Sequence, residues 1–383
     1  MYTVENIHHQ LLKLGLIARD ALLNGDYEAT TVNRRNKNIT VTTNKRQNYF
    51  IKQTDPVNAE NAKTLKNEIL FYSRIDTHLP QLKGCVAELE HADADQLLLI
   101  LKYRSSMPLW RHYKREAVKE IPSATLESVG KLLGQLHASL SAIHLRSLAE
   151  FEFLGSELPF IFKLHKPHPD ILQWASSGAI KFIERLQAHN EIDRHWQDAI
   201  RRWEVDAIVH GDIKLDNFII DLHGGINEIG KEKQIKVVDW EMAQFGDTAW
   251  DIAGVLNDFV FWWAITMPDD TPPEEMIKHA KFPLANIKPG VNAFWDGYAA
   301  ASNFAPAVLA RQLEKAVLFA GLRIMQTSFE ISSRFDAMPP IAVLLFNIGA
   351  SILNNPQRAC DQLYGVQQRV ADVVEPCEAQ YGA

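Results

Sequence analysis

Apolar residues at Ile7, Leu11, Leu14, Leu22 and Leu23 recur at close to helical spacing, and Asn24-Gly25-Asp26 then supplies a stop, so the pattern predicts a helix over 6–23. From residue 27 to 53 the texture changes to β-branched and polar residues. Segments 39–43 and 49–52 read as strands around the turn-like 44–48, which predicts a small antiparallel sheet. After Asp55-Pro56, the positions Leu65, Ile69, Tyr72 and Ile75 predict a helix over 58–76. Glu68 falls three residues after Leu65 and four before Tyr72, which places a carboxylate on the apolar stripe.

The run 97–101 (Leu-Leu-Leu-Ile-Leu) reads as a buried strand, and beyond it the pattern becomes mainly helical, most clearly over 124–145. Residues 151–205 carry Pro159, Pro167 and Pro169, then a helical pattern over 178–188, and no chemical motif. Short apolar strands follow at 205–209, 218–220 and 235–238, and each abuts a polar signature: His210-Gly211-Asp212 after the first, Asn217 before the second, Asp239-Trp240-Glu241 after the third. The rest reads as helix to the end, interrupted by an acidic, Pro-rich loop over 268–275.

A chain of 383 residues is long for one hydrophobic core, and two unequal lobes meeting at a cleft suit it better. A hydrophobic content of 46% with 23% charged residues excludes a disordered or fibrous chain. The net charge of -7 argues against a nucleic-acid partner and is compatible with a cationic substrate. Cys85, Cys360 and Cys377 are too few and too scattered for a disulfide framework, which points to a reducing, cytoplasmic setting. The N-terminal apolar stretch is broken by Lys13, Arg19 and Asp20, and the runs 259–267 and 341–353 are too short to cross a bilayer, so no membrane partner is expected.

Phosphoryl transfer from a nucleotide needs neutralised phosphates and an acceptor hydroxyl held in line. Magnesium accepts one carboxylate and one amide oxygen when phosphates and water complete its shell, a role that Asp239 and Asn217 suit. A second carboxylate, free of the metal, must orient the acceptor and take its proton, and Asp212 suits that role. Each acid also has a plainer reading as a turn-capping residue after a strand, and Lys52 with Glu68 could form an ordinary surface ion pair.

The arrangement His210-Gly211-Asp212-Ile-Lys-Leu-Asp-Asn217, followed by Asp239-Trp240-Glu241 and Gly246-Asp247-Thr-Ala-Trp-Asp251, resembles the catalytic and metal-binding loops of the aminoglycoside phosphotransferase and choline kinase family. The resemblance implies an α+β, bilobal protein-kinase-like fold. A small antiparallel-sheet lobe, residues 1–103, would bind nucleotide, and a larger, mainly helical lobe, residues 104–383, would carry catalysis and the acceptor. It further implies a cytoplasmic, ATP- and Mg2+-dependent kinase, with Asp212 catalytic, Asn217 and Asp239 on the metal, Lys52 on the α- and β-phosphates and Glu68 as its helix partner. Asn38 matches in the nucleotide-covering loop, but the family's glycine or serine is replaced there by Arg34-Arg35-Asn36-Lys37. Nothing around Lys102-Tyr103-Arg104 chooses ATP over GTP. The leading expectation is a small hydroxyl-bearing acceptor. A Ser or Thr of a peptide and a catalytically inactive, kinase-like binding module stay open as alternatives. His210, Asp247 and Asp251 read as scaffolding and Trp262-Trp263 as core.

Overall fold

The computed structural model describes residues 1–33, 37–43, 48–103, 106–110, 123–221, 235–281 and 283–366. Arg34, Arg35 and Asn36 of the expected nucleotide-covering loop, the turn residues 44–47, Arg104 and Cys377 lie outside the described residues.

Five antiparallel strands form the N-terminal sheet in the order β1-β2-β3-β5-β4: β1 is Tyr27–Asn33, β2 Lys37–Thr43, β3 Asn48–Gln53, β4 Leu89–Asp93 and β5 Leu98–Tyr103. Alternation along β5 explains its unbroken apolar run. Leu98 and Ile100 join Ile39, Val41, Tyr49 and Ile51 against Ile7, Leu11 and Ile17, whereas Leu99 and Leu101 pack in the main core with Leu65, Ile69 and Tyr72 of helix α2 (Ala59–His78). The helix expected over 6–23 is interrupted: α1 spans Ile7–Lys13, a second short helix spans Arg19–Leu23, and Gly15, at φ 70°, turns the chain between them.

After a short strand, β6 (Ser106–Pro108), the larger part is helical, built on α3 (Ser123–Ser139), α4 (Ser177–Gln187), α5 (Asn190–Arg202), α6 (Thr248–Ala264), α7 (Lys288–Ala301), α8 (Pro306–Ser332) and α9 (Pro340–Asn354). Prolines at the first position start α8 and α9, where a missing N–H does no harm. The helix expected over 124–145 stops at Ser139 because the chain turns aside to pair with β7 (Ala207–Val209): Ile208 N donates to Leu140 O at 2.8 Å and Ala142 N to Asp206 O at 2.9 Å. The motif-free segment 151–205 packs as a buttress, with Phe182 of α4 set against Phe329 of α8 and Phe346 of α9. Among the described residues no helix is long and apolar enough to cross a membrane.

Helix α6 runs directly beneath the loop 210–217, and Gly254 sets the distance. A Cβ there would lie 2.3 Å from Ile213 O, a backbone atom that cannot move aside cheaply. Helix propensity alone favours Gly254→Ala by about 1 kcal/mol, while overpacking against a backbone carbonyl costs about 1–3 kcal/mol. The expected outcome of Gly254→Ala is therefore a lower urea midpoint by circular dichroism, and a raised midpoint would show that the loop does not rest on α6 this closely.

Candidate active site

Two loops carry the site. One leaves β7 at His210 and enters β8 (Phe218–Asp221) after Asn217; the other leaves β9 (Ile235–Val237) and carries Asp239. His210 joins them. Its Nδ1 accepts from Asp212 N at 3.3 Å, and its Nε2 lies 3.0 Å from Val238 O, so the neutral tautomer with the proton on Nε2 satisfies both. Asn217 adds two further ties: its Nδ2 donates to Asp212 O at 2.9 Å, and its carbonyl accepts from Val238 N at 2.9 Å. Gly211 sits at φ 81°, where a Cβ would meet Met242 O at 2.6 Å.

Buried carboxylates on α6 brace the first loop from below. Asp251 accepts from His210 N at 2.7 Å and Gly211 N at 3.0 Å, and it is itself held by His137 Nε2 at 3.2 Å, with Tyr298 OH 3.0 Å from His137 Nδ1. Asp258 accepts from Leu215 N at 2.5 Å. Asp247 caps the helix through Ala249 N at 3.0 Å and pairs with Lys315 at 2.9 Å. These contacts make His210, Asp247 and Asp251 scaffold groups.

Lys52 is buried in β3 and meets two acids. Its Nζ lies 2.8 Å from both Glu68 oxygens and 2.5 Å from Asp239 Oδ1. The pair is not a surface ion pair: the Glu68 side chain is wholly buried, and Trp240 N donates to it at 3.2 Å. Burial pulls the Lys52 pKa down, but Glu68 and Asp239 overcome that and leave it above the ordinary lysine value. Burial pushes Glu68 up to about 7 against the pull of Lys52. Burial would raise Asp239 as well, yet Lys52 holds it down at about 2. Asp239 is 29% exposed and adopts a left-handed backbone at φ 73°, uncommon for a residue with a side chain. Asn38 stands directly opposite Lys52 in the β2–β3 register, buried, with its Oδ1 unpartnered among the described residues.

Asp212 is half-buried, and each of its oxygens faces a cation: Lys214 Nζ lies 2.6 Å from Oδ2 and Arg323 Nη2 3.4 Å from Oδ1. Burial opposes ionisation of Asp212, but Lys214 and Arg323 prevail and hold its carboxyl below the usual range. Neither cation was singled out by sequence reasoning. Arg323 carries the same signal that marks Glu68, a lone charge within the apolar run of α8, and is as buried as its neighbours. Lys214 had none beyond its place inside the motif.

The structure thus gathers Lys52, Glu68, Asp239 and Asn38 on one side and Asp212 with Asn217 on the other, joined through His210. Asp239 and Asn217 offer a carboxylate and an amide oxygen, the hard donors that magnesium takes, and the Asn217 amide nitrogen is already committed to Asp212 O. Of the two tryptophans expected in the core, Trp263 is buried, whereas Trp262 is half-buried and stacks on Trp110 with centroids 5.2 Å apart.

No curated protein sequence matches the chain. Among solved structures it is similar to an amicoumacin kinase in complex with AMP-PNP, Ca2+ and amicoumacin (TM-score 0.52, 14% identity, covering 91% of this chain and 96% of that one). It is similar to a microcompartment-associated aminopropanol kinase (TM-score 0.52, 12% identity, 95% and 99% covered) and to a choline kinase from Cryptosporidium parvum (TM-score 0.54, 12% identity, 92% and 95% covered). At such identities the likeness shows the fold, which is kinase-like, with an antiparallel five-stranded sheet and a larger helical part. The model of the phosphotransferase enzyme family matches residues 27–287, and the chain belongs to that family.

Proposed function

We propose that this chain is a small-molecule kinase that moves the γ-phosphoryl group of ATP, in the presence of magnesium, onto an alcohol. The observation that carries the reading is the bridge of His210 between the loop of Asp212 and the loop of Asp239, the carboxylate that Lys52 touches. Support also comes from the kinases of similar fold, named for amicoumacin, aminopropanol and choline, all small molecules. The segment 151–205, which could have supplied a docking surface for a peptide acceptor, instead sets Phe182 against Phe329 of α8 and Phe346 of α9.

In this reading residues 1–103 bind the nucleotide, with Lys52 on its phosphates, Glu68 holding that lysine and Asn38 contributing from β2. Residues 104–383 hold the catalytic groups and the acceptor. Asp239 and Asn217 would hold magnesium, which when bound neutralises phosphate charge. Asp212 accepts a hydrogen bond from the acceptor hydroxyl and orients it. The hydroxyl oxygen forms a bond to the γ-phosphorus, the bond from that phosphorus to the β–γ bridging oxygen breaks with its electron pair going to ADP, and the hydroxyl proton passes to the Asp212 carboxylate. Lys214, within reach of Asp212, stabilises the negative charge on the transferring group. A panel comparing ATP with GTP identifies the donor.

Two outcomes follow. Asp212→Asn removes the proton acceptor and is expected to lower turnover by about 10²–10⁴-fold, with the nucleotide Kd from calorimetry unchanged; full turnover in this variant would remove Asp212 from its role. Asp239→Ala is expected to abolish the magnesium-dependent part of nucleotide binding, so that EDTA weakens binding to the wild type and has no further effect on the variant. Equal sensitivity to EDTA in both proteins would place the metal elsewhere.

A further inference from the structure

Arg323 is a buried guanidinium in the middle of α8, flanked by Leu322, Ile324 and Met325 in the core. A charge in such a place is retained only with good partners, yet its partners are loose. Nη2 lies 3.4 Å from Asp212 Oδ1 and 3.3 Å from Ile213 O, longer than charge-assisted bonds usually run, and the buried Nε has no partner among the described residues. The ring of Trp250, 5.2 Å away, and the Ile213 carbonyl fix the group in position without using its donors up. Arg323 is therefore held facing the acceptor carboxylate with hydrogen-bonding capacity left over.

Asp212 is shared by Lys214 and Arg323, so two cations face one carboxylate. Asp258, the buried acid behind them, accepts from Leu215 N and from Asn257 Nδ2, and burial pushes its carboxyl above the ordinary value. Asp216 is a further acid on the same loop. Next along α8, at the spacing that shares one helix face, Gln326 donates through Nε2 to Glu330 Oε1 at 2.9 Å and has a buried Oε1 without a partner among the described residues, and Thr327 donates to Asn257 Oδ1 at 3.0 Å. A polar stripe thus leads away from Asp212 between α6 and α8. An amine-bearing alcohol would bring a third cation against Arg323 and Lys214. An alcohol bearing an oxyanion would instead offer Arg323 Nη2 a closer partner than its present contacts at 3.4 and 3.3 Å.

We propose that the acceptor carries a carboxylate or a phosphate close to its reacting hydroxyl and that Arg323 receives that oxyanion. The inference rests on Asp212 being the group that orients the acceptor. It is tested by titrating the full chain, loaded with magnesium and AMP-PNP, with four three-carbon alcohols that differ in charge: glycerate, glycerol 3-phosphate, glycerol and 3-amino-1,2-propanediol. The expected result in calorimetry is that at least one acid binds ten or more times tighter than glycerol and the amine. Arg323→Gln should remove that preference, and Arg323→Lys, which keeps the charge without the fork, should keep it at reduced affinity. Which acid binds separates carboxylate from phosphate. Binding of the amine as tight as that of both acids, failure of both acids to bind, or a preference that survives in Arg323→Gln overturns the proposal. Loss of magnesium-dependent AMP-PNP binding in the wild type would instead defeat the phosphotransferase reading, so the two failures are distinguishable.

Discussion

The buried ion triad of Lys52, Glu68 and Asp239 is the interaction on which the rest of the site depends. It joins three distant parts of the chain, strand β3, helix α2 and the turn after β9, in one place from which water is largely excluded. Any one of these charges left alone there would be costly by several kcal/mol, so each holds the others in place. Around the triad the same elements are joined again: Asn67 Nδ2 donates to Glu241 O and Ala243 O, Trp240 N donates to Glu68, and Phe71 stacks on Trp240 with centroids 4.3 Å apart. The left-handed backbone of Asp239 is sustained by this surrounding set of bonds. Of the two acids that share the lysine, Asp239 is the more exposed and is held ionised by Lys52, the property wanted of the residue proposed to share a divalent cation with phosphates.

The loop 210–217 solves a different problem. It has little regular structure, so its backbone N–H groups need partners from elsewhere. Asp251 takes those of His210 and Gly211, Asp258 takes that of Leu215, and the His210 ring takes that of Asp212. These acids lie on one face of α6, at positions 251 and 258 with Gly254 between them, so a single helix presents two carboxylates and one gap to the loop above. The shape of the loop is set by α6 rather than by its own sequence.

Much of this was legible in the chain. A carboxylate at position 68 on an apolar stripe has to find a cation, and the only question was which; the order of His210-Gly211-Asp212, Asn217 and Asp239 on strand ends supplied the rest of the constellation. Strands β2, β3 and β5 of the sheet and the helical remainder follow from the change of apolar period near residue 27 and again after residue 101, whereas β1 and β4 were not read from the pattern. What escaped was decided by tertiary contact. The break between α1 and its neighbour depends on Gly15 turning the chain, and the end of α3 depends on pairing with a strand some seventy residues later in the sequence. The pairing of Asp212 with Arg323 spans 111 residues, and no local pattern carries such a contact.

The central claim is that Lys52 and Glu68 act as one unit in holding nucleotide phosphate. A double-mutant cycle with Lys52→Met and Glu68→Gln, read as the Kd for magnesium and AMP-PNP, tests it most directly. Either single change should weaken binding nearly as much as both together, a coupling of about 1–3 kcal/mol. Losses that simply add, to within about 0.5 kcal/mol, would contradict the account.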